Sequence, residues 1–225
     1  SGNATDNGGV GIFNNGGTLD ILNGTTINNN FANGTAGSGG GIMSTDGTVT
    51  IADITIFSNF ANRAGGAIEV IDGALNLDGT VVAFNDVNGT AGTPAPGNGG
   101  GIHISGVTTT NINNAVISAN QAAREGGGLW NQAGSTMNVF DTMVNINTAG
   151  GSAADNGGGG IFNNGGNLGI INGTIQNNIA NGTSGSGGGI FSTAGTVAII
   201  GGMIDNNAAN RAGGGIEIID GTLDM

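Results

Sequence analysis

The chain contains no cysteine and no lysine, and only two prolines among its 225 residues. Without cysteine, disulfide staples and thiolate metal sites are excluded. Arg63, Arg124 and Arg211 are the whole basic complement against 15 carboxylates, for a formal net charge of −12. Such a surface repels nucleic-acid backbones and anionic membranes, so neither is an expected partner. No apolar run approaches the ~20 residues that a membrane-spanning helix needs. No positively charged leader opens the chain at Ser1.

What is abundant is glycine, with 50 residues. They follow no triplet period, which excludes collagen. Ile, Leu and Val recur at regular places, which argues against disorder. The regularity is an internal repeat, the first thing to seek in such a composition. Gly-Gly-x-aliphatic places its aliphatic residue at Ile12, Ile42, Ile68, Ile102, Leu129, Ile161, Ile190 and Ile216, at intervals of 26 to 34 residues. Seven or eight residues later comes an aliphatic-x-aliphatic pair, as in Leu19/Ile21, Val49/Ile51, Leu75/Leu77 and Val197/Ile199; only Thr110 of Thr110/Ile112 departs. Alternation of this kind marks strands with one buried face. A third element, aliphatic-x-x-Asn, ends at Asn30, Asn59, Asn85, Asn120, Asn147, Asn178 and Asn207.

Each unit therefore reads as three short strands separated by Gly- and Asn-rich turns. One unit cannot bury its own apolar edge, so units must stack at the inter-strand spacing of about 4.8 Å. The fold expected is all-β: a single right-handed parallel β-helix over residues 1–225, of about eight coils of 26–34 residues each. The Asn positions would form a ladder of side-chain amides, each donating to the next. A polar row at Asn23, Asp53, Gly79, Asn114, Asp141, Asn172 and Gly201 reads as a turn or as an inward polar ladder.

These elements resemble the right-handed β-helix repeats of bacterial surface proteins, most nearly the polymorphic outer-membrane protein and adhesin type. The likeness rests on GGAI at Gly65–Ile68, on GGGI or GGGL in other coils, and on Ile/Val-x-x-Asn where that family has Phe-x-x-Asn. It implies an extracellular or cell-surface setting and no particular activity, because the motif residues build the coil.

A longer repeat overlies the short one. Ile12, Ile42 and Ile68 match Ile161, Ile190 and Ile216 at offsets of 148–149 residues; IFNNGG, ANGT and ANRAGG each occur twice. Five coils thus form a super-repeat of about 149 residues over 9–150, with a partial second copy over 151–225. Because Met225 corresponds to Leu77, inside a strand, the expectation is a segment of a longer surface fibre, stalk or adhesin. It would self-associate end to end or laterally, and surface glycans are a further candidate partner.

Alternation also sets one row facing away from the aliphatic interior: Phe13, Met43, Glu69, His103, Trp130, Phe162, Phe191 and Glu217. It holds the only His and the only Trp. If exposed, it is a candidate row for sugar rings or lateral contact, and Glu69, His103 and Trp130 would be neighbours suited to acid–base chemistry on a polysaccharide. The alternative is that loops fold over it. The arginines, each just before a glycine run, read as carbonyl caps or partners of a nearby carboxylate. Only Thr48/Thr50 completes the Thr-x-Thr face that ice-binding solenoids repeat. No catalytic residue, metal site or cofactor is assigned, although Asp6, Asp86 and Asp155 leave loop calcium open. Among the N-x-Thr sequons, Asn33, Asn88 and Asn181 lie in the long connections and are the glycosylation candidates.

Overall fold

The computed structural model describes residues 11–89 and 97–225. They wind into a right-handed parallel β-helix of about 7 turns bounded by three parallel sheets. Coil 1 carries Ile12, coil 2 Ile42, coil 3 Ile68, coil 4 Ile102, coil 5 Leu129, coil 6 Ile161, coil 7 Ile190 and coil 8 Ile216. The second and third sheets have seven strands each, whereas coil 8 adds only Ile216–Ile218 and Thr222–Asp224 to the first. The expected count of about eight coils is therefore corrected to seven complete turns.

Coil 2 displays the plan. Its first two expected strands are one, Ile42–Ala52, bent where Asp46 takes a left-handed φ of 53° ahead of Gly47. Thr55–Phe57 enters the second sheet and Phe60–Ala61 the third. In coils 2, 3, 4, 6 and 7 the two predicted strands fuse because both stack on the same sheet, whereas in coils 1, 5 and 8 they remain two strands of that sheet. The two-residue strand was not expected. It follows the ladder Asn directly and points a small residue inward, Ala32 in coil 1, Ala61 in coil 2 and Val87 in coil 3.

Stacking follows the register that the repeat implies. Ile42 pairs Ile12 and Ile68, Ile102 pairs Ile68 and Leu129, and Ile190 pairs Ile161 and Ile216. The inward residues form one continuous apolar core in which Ile42, Ile51, Ile56, Ile68, Leu75 and Leu77 are inaccessible to water. The polar row is a turn: Asn23, Asp53, Gly79, Asn114, Asp141, Asn172 and Gly201 all have left-handed φ between 45° and 68°. Asn, Asp and Gly are the residues that tolerate that conformation.

The Gly-Gly-x-aliphatic element has two physical causes. Gly65 takes φ +60°, and a Cβ on Gly66 would lie 2.3 Å from the carbonyl oxygen of Gly100 in the next coil. Only glycine allows the coils to approach this closely there.

The asparagine ladder is continuous. Nδ2 of Asn30 donates to Oδ1 of Asn59 at 2.9 Å, and the same bond joins Asn59 to Asn85, Asn85 to Asn120, Asn120 to Asn147, Asn147 to Asn178 and Asn178 to Asn207 at 2.9–3.0 Å. Each interior Oδ1 also accepts a backbone N–H, as Asn120 Oδ1 does from Asn85 N at 3.0 Å. Each interior Nδ2 donates as well to a carbonyl in the coil before, as from Asn120 to Val82 O at 2.9 Å. The interior amides are thus satisfied on both ends although almost wholly buried, which avoids the ~1–3 kcal/mol penalty of an unpaired buried polar group.

Candidate functional site

The outward row is a single register column. Phe13 pairs Met43, Met43 pairs Glu69, and the column continues through His103, Trp130, Phe162, Phe191 and Glu217. It is not open to solvent. Met43, Glu69 and Phe191 are 0% exposed, and His103, Trp130 and Phe162 are nearly so. Only Phe13 is exposed, and Glu217 is partly covered. An exposed row for ligands or lateral contact is therefore corrected: the loop-covered alternative describes its interior members. Facing away from one core does not mean facing water, because the segment leading into each coil doubles back over this face. Its left-handed glycine abuts the row. A Cβ on Gly99 would sit 2.8 Å from His103 Cβ, and one on Gly187 2.5 Å from Phe191 Cβ.

Under that cover the aromatic residues form a second apolar cluster of Trp130, Phe162 and Phe191. The rings of His103 and Trp130 stack with centroids 4.3 Å apart and planes 13° from parallel. Trp130 and Phe162 follow at 6.2 Å, and Phe162 meets Phe191 edge-on at 5.4 Å.

The polar members are held by residues from the covering segments. The Arg63 guanidinium pairs through Nη2 with Glu69 Oε1, and its Nε donates to Ser38 Oγ at 2.7 Å. His103 Nδ1 lies 3.4 Å from the same Glu69 oxygen, too long and poorly aligned to satisfy it, and both ring nitrogens lack a hydrogen-bond partner. Burial pushes the Glu69 carboxyl up, but Arg63, helped by His103 and Ser38, outweighs it and holds the group below the usual range. Burial lowers His103 more than Glu69 raises it, so the imidazole is neutral at pH 7. Arg211, Glu217 and Ser186 repeat the arrangement, with Nη2 to Oε1 at 2.8 Å and Nε to Ser186 Oγ at 2.8 Å. The carboxylate-pairing reading of these two arginines is thereby given its partners, each six residues downstream.

Glu125 had no place in the sequence reading. It occupies the coil-5 position that Ala64 holds in coil 3, REGG against RAGG. Its Oε2 accepts from Trp130 Nε1 at 3.1 Å and its Oε1 from Asn156 Nδ2 at 2.6 Å. Burial raises its pKa, only partly offset by Trp130, Arg124 and Asn156. Beside it opens a cleft of about 360 Å³ lined by Glu125, Asp155, Phe162, Asn164 and Thr193. Both Glu125 oxygens are engaged, which suits holding a structure more than delivering a proton.

Among the described residues no group of three or more His, Asp or Glu gathers to hold a metal. Asp6 lies outside the described residues; Asp86 is half-buried and Asp155 exposed. Asn33, Asn88 and Asn181 are all exposed, directly after the third-sheet strand. Comparison with family models, curated proteins and solved structures finds no match. The class that the geometry defines is the parallel β-helix repeat protein.

Proposed function

We propose that this chain is a structural or adhesive segment of an extracellular or cell-surface β-helix of the adhesin type, built to extend as a fibre or stalk. The reading is non-catalytic. The observation that carries it is where the polar side chains are used: the ladder amides and the Arg63–Ser38 and Asn156–Glu125 contacts all bind one coil to the next. The IFNNGG and ANRAGG duplications, and the likeness of GGAI and Ile/Val-x-x-Asn to surface-protein repeats, support it. The test is electron microscopy of the native secreted protein. Rods that lengthen by about 4.8 Å per coil and join into longer filaments support the reading. A native product that turns over a polysaccharide, with turnover abolished by Glu125→Gln, overturns it.

A second reading, glycan binding, has one specific support. The cleft sets two carboxylates, an amide and a hydroxyl beside Phe162, a mixture that orients sugars. Glycan-array binding lost in Thr193→Ala and Asp155→Asn would favour it; binding unchanged by both would eliminate the cleft.

A further inference from the structure

The corner between the second and third sheets requires a left-handed residue in every complete coil. Asn29, Asn177 and Asn206 fill it in coils 1, 6 and 7 and Ser58 in coil 2. In coils 3, 4 and 5 the same corner holds Phe84 (φ 56°), Ala119 (φ 53°) and Ile146 (φ 59°). A bulky or β-branched side chain is strongly disfavoured in that conformation, where Asn or Gly sits easily. The unfavourable residues are not compensated by burial: Phe84 is 67% and Ile146 54% exposed. Folding alone gives no reason for them, so their side chains are explained by what they present to the outside.

A second outward row, on the second sheet, is also apolar in these three coils and again at Met203 in coil 7. Val81, Val116 and Met143 stack in register, flanked by Thr55 in coil 2 and Thr174 in coil 6. From coil 2 to coil 6 both rows therefore run polar, apolar, apolar, apolar, polar. In the corner row the centre, Ala119, is small and its two neighbours are large. The patch carries no charge on a chain of formal charge −12, so it is a face on which two copies can meet without bringing carboxylates together.

We infer that this face pairs two copies of the chain about a two-fold axis through coil 4, with the solenoids antiparallel. The axis sets Phe84 against Ile146 of the second copy, Val81 against its Met143 and Ala119 against its Ala119, large beside large and small on small. An isologous contact demands such self-complementarity. Asp86, beside Phe84 at the patch edge, faces Thr148 of the second copy instead of its own mate, so no like-charge pair forms. This lateral contact deepens the self-association proposed above and is testable separately from end-to-end growth. The patch spans three coils, roughly 14 Å along the axis, well below the ~800 Å² per partner of a standard interface. The dimer is accordingly weak.

Sedimentation equilibrium of the native chain from about 10 μM to 1 mM, the range that suits a small interface, tests it. A reversible monomer–dimer equilibrium is expected. Phe84→Asn/Ile146→Asn weakens it at least tenfold while the thermal midpoint holds or rises, because Asn relieves the left-handed corner. A purely structural role for these residues gives the opposite thermal result. Ala119→Cys, in a chain without native cysteine, forms an oxidised homodimer. Ser58→Cys does not, since the two Ser58 positions lie about four coil spacings, roughly 19 Å, apart. A wild type monomeric throughout the range, an Asn variant that dimerises as well as wild type, or equal cross-linking by both cysteines each overturns the inference. Filaments that still grow end to end in the Asn variant leave the fibre reading standing.

Discussion

Arg63–Glu69 and Arg211–Glu217 are the same sequence element in two surroundings. Both follow Ala-Asn, both precede a glycine run, and in both the arginine Nε donates to a serine twenty-five residues earlier. In coil 3 the two side chains are 8% and 0% exposed, and His103 of the next coil sits against the carboxylate; in coil 8 they are 37% and 16% exposed. The local sequence specifies the pair, and the neighbouring coil determines its energetics. A covered pair cannot lose one partner without stranding a charge, whereas a wetted pair hands its charge to solvent.

The largest effect should come from breaking that symmetry on the buried side. Arg63→Met leaves the covered Glu69 carboxyl without its cation, and is expected to lower stability by about 3–5 kcal/mol. Arg211→Met is expected to cost less than about 1 kcal/mol, since solvent screens the exposed pair. Urea unfolding of the two variants, followed by circular dichroism, checks the contrast. Equal losses would mean that the next coil contributes nothing to the pair.

The asparagine ladder offers the same comparison between interior and edge. Asn120 makes bonds to the coils on both sides, whereas Asn207 makes them on one. Asn120→Ala strands the donors and acceptors it served and should cost about 3 kcal/mol, at roughly 1–3 kcal/mol for each unsatisfied buried group. Asn207→Ala should cost about 1 kcal/mol by the same reckoning, because its environment is wetter. Thermal midpoints of both variants decide. Midpoints that fall equally would assign the ladder's contribution to the corner turn and not to stacking.

These pairs of residues also mark how far the sequence could be read. The inward column from Ile12 to Ile216 and the Asn ladder were legible because each rests on a fixed spacing and on one kind of residue with one physical use, whereas the turn at Asp53 and Asp141 was one of two readings of a row that mixes Asn, Asp and Gly. The third-sheet strand was not recognised although Asn-x-Ala stands in the sequence, because two residues are too few for alternation to register. Cover over Glu69, His103 and Trp130 was legible only as one of two options. Periodicity states which side a residue faces, and the path of the segment from Asn33 to Gly41 is set by packing, not by period. Glu125 escaped because it replaces an alanine at an otherwise plain position, and nothing local announces that its partners are Trp130 and Asn156.

The smallest effect separates two buried titratable groups on neighbouring coils. His103 has its pKa lowered by burial, so between its ordinary value of 6.5 and its folded value the unfolded chain binds the extra proton. Stability supplied by neutral His103 is therefore complete above pH 6.5 and is lost as pH falls below it, by at most about 1.4 kcal/mol per pH unit. Glu125, raised by burial, acts in the opposite direction. It takes up its proton in the folded state first, so acidification towards its ordinary value of 4.5 restores stability that its ionisation had removed. The wild-type slope between pH 7 and pH 5 combines these two effects with that of half-buried Asp86, which burial also raises. His103→Phe keeps a ring against Trp130 and removes only the loss, so its stability should hold level or rise relative to wild type as pH falls over that interval. Glu125→Gln should steepen the fall instead. Midpoints of urea unfolding at half-unit pH intervals discriminate the two. A His103→Phe profile parallel to wild type would mean that the imidazole titrates alike in the folded and unfolded chain, Glu69 offsetting the cost of burial.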